Sequence, residues 1–167
     1  MQQYILSSDV LEAQFGTTAV EVLYQDMQTR VICTKVVSSG QILELSRVEF
    51  VPAGVAAFVA IHRSIVAGQS MGKAFQAHGI AFVRETRSVC RCTLPDGFNH
   101  RFGSTAQACV MVVAIFVGDH KTPYAHILET YSPEVTWPDA DSEPTKAQNA
   151  VVQRFNKFLK TIEPKQS

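Results

Sequence analysis

Apolar positions recur along this chain with two periods. From Thr18 to Gln25, Val20, Val22 and Tyr24 alternate with Ala19, Glu21 and Leu23, the period of two that a strand requires. Arg30 to Val37 and Gln41 to Val51 are β-branched runs joined by Ser38-Ser39-Gly40, which predicts a hairpin. Ile80 to Leu94 predicts a long strand turning at Pro95-Asp96-Gly97. Gln107 to Val117 is the most apolar run and predicts a central strand buried on both faces. Thr122 to Tyr131 predicts the last strand, entered through Gly118-Asp119-His120-Lys121 and closed by Pro133.

Between and around these runs the period lengthens. Ser7-Ser8-Asp9, after the lead-in Tyr4-Ile5-Leu6, caps a short helix from Val10 to Phe15 that Gly16 stops. Pro52-Ala53-Gly54 opens a helix from Val55 to Val66 with a broad apolar face of Val55, Phe58, Val59, Ile61, Ile65 and Val66. Ser70 caps a second one from Met71 to Gly79. Thr145 to Ile162 is amphipathic, with Ala147, Val151, Phe155, Phe158, Leu159 and Ile162 on one face, suited to packing on the sheet or to a homodimer through this C-terminal helix. Five or six strands with short connections and grouped helices predict an α+β fold, a single mostly antiparallel sheet flanked by helices. The predicted organisation is an α+β domain over 1–137, an acidic Pro-containing linker over 138–144 and the C-terminal helix over 145–163.

Composition narrows the function classes. The 167 residues suit one domain, with 46% hydrophobic and 18% charged residues. Fifteen Lys+Arg balance fifteen Asp+Glu, and without a basic run interleaved with aromatics direct nucleic-acid binding is not expected. No run suits a signal peptide or a membrane span, so the expected location is cytoplasmic, with Cys33, Cys90, Cys92 and Cys109 as free thiols. Cys90-x-Cys92 lacks thioredoxin or zinc spacing, and His62, His78, His100, His120 and His126 are not at metal-ligand spacing from one another. There is no Gly-rich phosphate loop and no Ser nucleophile elbow, so neither metal nor cofactor is expected.

What remains is Arg30, Arg47 and Glu129 on three apolar strands. Arg30 shares a face with Ile32, Thr34 and Val36 by alternation, and Arg47 with Leu43, Leu45 and Val51. An ionised carboxylate in a run as apolar as that around Glu129 is costly to bury unless it is paired. Guanidinium groups on strands suit bidentate capture of carboxylates, and a carboxylate opposite them could accept a hydroxyl or manage a proton. Surface salt bridges or a partly buried structural ion pair are the alternative readings of the same residues.

Three segments resemble the chorismate lyase (4-hydroxybenzoate synthase) family: Q-T-R-V-I-C-T-K-V-V-S-S-G-Q-I-L-E-L-S-R-V-E-F-V-P from Gln28 to Pro52, S-M-G-K-A-F from Ser70 to Phe75, and H-I-L-E-T-Y-S-P from His126 to Pro133. The opening, Ile5 to Gln25, is similar to the start of that family's archaeal and actinobacterial branch. The ligand domain of winged-helix repressors shares the fold and the final strand pattern. The resemblance spans roughly residues 4 to 137. It implies a chorismate lyase-like fold with a closed pocket under helical flaps, taking a small aromatic or enolpyruvyl carboxylic acid.

By position, Arg30 matches the family's carboxylate-binding arginine, Met71 a flap residue over the pocket, Glu129 the active-site Glu, and Arg47 a further arginine. The implied reaction is elimination of pyruvate from chorismate, without metal or cofactor, with Arg30 and Glu129 as its catalytic groups. The strand from Val110 to Val117 lacks an arginine that the family pattern would place there; Arg84 and Arg87 stand on another strand. A non-catalytic sensor of a small carboxylic acid, as in the repressor ligand domains, is the alternative.

Overall fold

The computed structural model describes residues 7–118, 122–137 and 142–162. In chain order the elements are α1 (Ser7–Phe15), β1 (Thr18–Gln25), β2 (Thr29–Val36), β3 (Ile42–Phe50), α2 (Pro52–Ala57), α3 (Val59–Val66), α4 (Met71–Ala77), β4 (Phe82–Thr93), α5 (Asp96–Phe102), β5 (Gln107–Val117), β6 (Thr122–Tyr131) and α6 (Lys146–Ile162). The six strands form one sheet in the order β1-β2-β3-β6-β5-β4, every neighbouring pair antiparallel. This is the α+β arrangement expected from the pattern. The expected lead-in Tyr4-Ile5-Leu6, residues Asp119-His120-Lys121 of the turn and 138–141 of the linker lie outside the described residues.

Helices cover both faces of the sheet, and each face has its own core. On one, Leu11 of α1, Ile65 of α3 and Phe75 of α4 pack with Phe50, Val113 and Tyr124. On the other, Phe98 of α5 and Phe155 and Leu159 of α6 pack with Val31, Leu45 and Val110. Full burial of such side chains stabilises by roughly 1.5–3 kcal/mol each. The face of α6 that turns inward carries Val152, Phe155, Asn156 and Leu159. It packs against the chain's own sheet, the first of the two roles expected for it.

Register shifts interrupt four of the five strand pairs, and those on β3 and β4 set the parity of strands that line the site. Opposite β2, residues Glu44 and Ile42 pair with Thr34 and Lys35, so Leu43 is the extra residue on β3. On β4, Thr86 and Ser88 pair with Val113 and Val112, so Arg87 is the extra residue. A single inserted residue reverses the alternation beyond it. Leu43 therefore joins the core beneath α1 to α4 although Leu45 joins the other.

Two expected elements differ. Pro95-Asp96-Gly97 does not turn the chain back at once; Pro95 precedes α5, which ends at Gly103 in a left-handed conformation. Gly97 fits because its N–H donates to Asn156 Oδ1 at 3.1 Å, where a Cβ would stand 2.6 Å from that oxygen. The helix expected from Val55 to Val66 is broken at Phe58, whose φ of −130° and ψ of 44° are not helical. The reason lies in the docking of α2: a Cβ on Gly54 would stand 2.5 Å from Pro123 O and 2.8 Å from Tyr124 Cα, so α2 lies directly on β6. The chain must turn at Phe58 before α3 can cover the sheet.

Because the atoms facing Gly54 are backbone, Gly54→Ala is expected to destabilise the fold by about 1–3 kcal/mol. Urea unfolding checks this as a lower midpoint at unchanged slope.

Candidate functional site

On the face covered by α1 to α4 the sheet leaves a cavity of about 200 Å³. Its wall is built strand by strand, with Arg30, Ile32 and Thr34 from β2, Glu44, Ser46 and Val48 from β3, and Ile127 and Glu129 from β6. Phe82 and Arg84 of β4 and Ile115 of β5 close one side, and Met71, Gly72, Ser7 and Ser8 bring in the starts of α4 and α1. Antiparallel register sets this convergence, since Thr34 pairs with Glu44, Glu44 with Tyr131 and Ser46 with Glu129.

Two carboxylates are buried in this wall. Glu129 is 4% exposed; Arg84 forms an ion pair with its Oε2, and Tyr131 donates its hydroxyl to the same oxygen at 2.7 Å. Glu44, 5% exposed, accepts from Thr34 Oγ1 at 2.9 Å on one oxygen and from Ser46 Oγ on the other. Burial, reinforced by the charge of Glu129, pushes the Glu44 carboxyl up to about 7. Burial likewise raises the Tyr131 phenol, with Glu129 adding to it.

Arg30 is the complementary group. It is 4% exposed, and its Nη1 donates to Gln69 O at 3.0 Å and to Ile65 O at 3.5 Å, the end of α3 and the link to α4. Its Nε is buried without a hydrogen-bond partner, and burial draws its pKa down. Among the described residues no carboxylate is in ion-pair contact with Arg30, and no cationic side chain is in such contact with Glu44. Nearby, His62 of α3 donates from Nε2 to Met27 O at 3.2 Å and accepts the Tyr124 hydroxyl at Nδ1, 2.9 Å away. This ties the helix whose end Arg30 holds to the turn from which β2 starts.

Of the expected site residues, Arg30, Met71 and Glu129 come together at this cavity and Arg47 does not. Arg30 pairs with Val48 across the hairpin, so Arg47, one position away, points through the opposite face. There its Nη2 meets Glu49 Oε1 at 2.9 Å and its guanidinium stands 5.0 Å from the Phe158 ring of α6. It lines a separate cavity with His126 and Arg154. Alternation also grouped Arg47 with Leu43, and the bulge at Leu43 breaks that grouping.

The groups missed in the sequence are Glu44, Thr34, Ser46 and Tyr131. A hairpin at Ser38-Ser39-Gly40 already sets Thr34 against Glu44, so its register was the available signal. Of the two arginines outside the strand from Val110 to Val117, Arg84 reaches the site, whereas Arg87 pairs with Glu85 and stacks on Phe116. All four cysteines are buried and free, and no group of His, Cys, Asp and Glu among the described residues is arranged to hold a metal ion. No helix among the described residues is long and apolar enough to cross a membrane.

The raised Glu44 carboxyl has a sign. Its proton-linked stability is fully present below the ordinary carboxylate value of 4.5 and is lost as pH rises through about 7, a difference of roughly 3 kcal/mol. Glu44→Gln is expected to remove this part of the decline, so the variant gains on the wild type between pH 5 and 8. Denaturant unfolding at a series of pH values checks it.

No protein-family model and no curated protein matches the sequence. Solved structures do match in fold. PhnF from Mycobacterium smegmatis superposes with a TM-score of 0.57 at 13% identity, over 87% of this chain and 70% of its own. YydK from Bacillus subtilis, a possible transcriptional regulator, superposes with a TM-score of 0.54 at 9% identity, over 79% of this chain. The match spans only 62% of YydK. At these identities the likeness is one of fold, consistent with the chorismate lyase-like fold that the sequence resemblance implied, and it identifies no enzyme family.

Proposed function

We propose that this chain is a small-molecule-binding sensor domain that captures a carboxylate on Arg30. The observation that carries the reading is the Arg30 guanidinium itself, buried in the cavity wall with Nε unpartnered and, among the described residues, no carboxylate in ion-pair contact. A buried cation whose partners among the described residues are backbone carbonyls is costly, and an anionic ligand with bidentate geometry would offset that cost. Met71 over the cavity and Glu129 in its wall complete the contacts. The fold shared with the possible regulator YydK supports a sensor acting through other parts of a longer assembly.

Elimination of pyruvate from chorismate has weaker support. Chorismate is a dianion, and among the described residues the cavity offers it one guanidinium without an acid partner, Arg30, beside two buried carboxylates. Arg84, the second arginine, is engaged by Glu129, whose Oε2 is taken by Arg84 and Tyr131. Sensing requires only differential binding, which the free donors of Arg30 can supply.

Calorimetric titration with hydroxybenzoates and chorismate, followed in parallel for pyruvate, tests the reading. The sensor is expected to bind at least one carboxylate without releasing pyruvate, and Arg30→Ala to weaken binding by roughly tenfold or more, the usual scale for a charge-assisted hydrogen bond. Pyruvate release that disappears in Glu129→Gln would establish the lyase instead.

A further inference from the structure

With Glu44 ionised, the charges of the cavity balance but do not pair off internally. Two arginines and two glutamates line it, yet only Arg84 and Glu129 meet. Among the described residues Arg30 is left without an anion and Glu44 without a cation, each nine-tenths or more buried. They do not neutralise each other because they sit at opposite ends: Glu44 faces Thr34, four residues along β2 from Arg30, a separation of about 13 Å at the backbone for a rise of about 3.3 Å per residue. The Arg30 guanidinium is held at the end of α3 and the link to α4. Glu129, opposite Ser46 on the adjacent strand, stands close enough for its charge to act on Glu44, so the two acids form one pole and Arg30 the other.

A ligand that carried only an anion would satisfy Arg30 and leave the acid pole with one cation for two carboxylates. A ligand carrying only a cation would do the reverse. We infer that the cavity is built for a small zwitterion with its charges at opposite ends, the carboxylate on Arg30 and an ammonium beside Glu44 and Glu129. This rests on the binding reading above and narrows it to a ligand class. Between the poles the wall is apolar, with Ile32, Val48, Ile115 and Ile127, which suits a methylene or ring spacer and not a polyol. An α-amino acid, whose ammonium and carboxylate share one carbon, spans too little. The hydroxyls of Thr34 and Ser46 already hold Glu44, fixing its carboxylate as the receiving group.

The test is calorimetric titration of the intact chain at neutral pH with 5-aminopentanoate, pentanoate, pentylamine and glycine. 5-Aminopentanoate is expected to bind at least tenfold more tightly than the other three. Arg30→Met should remove its advantage over pentylamine, and Glu44→Gln its advantage over pentanoate. The comparison of ligands on the wild-type chain needs neither variant to fold. If pentanoate binds as tightly as 5-aminopentanoate, or if other carboxylates bind and 5-aminopentanoate does not, the zwitterion inference is overturned while the carboxylate sensor stands. If no carboxylate or zwitterion binds, both fall.

Discussion

Two carboxylates buried on adjacent central strands constrain this fold more than any other feature. Glu44 on β3 and Glu129 on β6 share one face of the sheet, under helices, where an unpaired charge is expensive. The chain meets the demand unequally. Glu129 receives a guanidinium and a phenol, whereas Glu44 receives two hydroxyls and, with its carboxyl raised by burial to about 7, is about half ionised at pH 7. Supplying Arg84 requires an arginine on the edge strand β4 that reaches across β5. The bulge at Arg87 lets β4 do this while Cys90 and Cys92, further along, turn into the opposite core.

The helices above the cavity follow from the same polar wall. A sheet face bearing Arg30, Glu44 and Glu129 cannot be sealed by an apolar layer alone. Arg30 instead donates to the carbonyls at the end of α3 and the link to α4, groups that a helix terminus leaves without internal partners. That bond seats the start of α4, including Met71, over the cavity. On the far face, where Arg47 finds Glu49 and Phe158, α5 and α6 close a conventional apolar core. The face under α1 to α4 thus buries its charged groups in the cavity wall, whereas the other face combines an apolar core with a smaller polar margin around Arg47, His126 and Arg154.

Much of this was legible in the sequence, because alternation and turn residues are local. The six strands, their antiparallel pairing and the short helices at Ser7 and Met71 follow from such signals. Glu129 was conspicuous as a charge within an apolar run, and Arg30 as a guanidinium aligned with Ile32 and Val36. What alternation could not deliver was the side of the sheet. The extra residues Leu43 and Arg87 reverse the parity of the strands that hold them, and nothing local marks either as a bulge. Arg47 was grouped correctly with Leu45 and wrongly with Leu43, and Glu44, between two leucines, was overlooked although its parity with Ser46 and Val48 is intact. The break at Phe58 depends on the contact of Gly54 with β6, a tertiary event that the apolar face from Val55 to Val66 does not encode.

The account stands on Arg30 as a buried donor kept free for a ligand, and its Nε–H can be observed directly. In a proton–nitrogen NMR spectrum of the arginine side chains, titration with 5-aminopentanoate or a hydroxybenzoate should shift the Arg30 Nε–H resonance and slow its exchange with water. The Arg47 Nε–H, on the opposite face, should not move. A ligand that binds while the Arg30 resonance stays in place, or that moves Arg47 instead, would contradict the account.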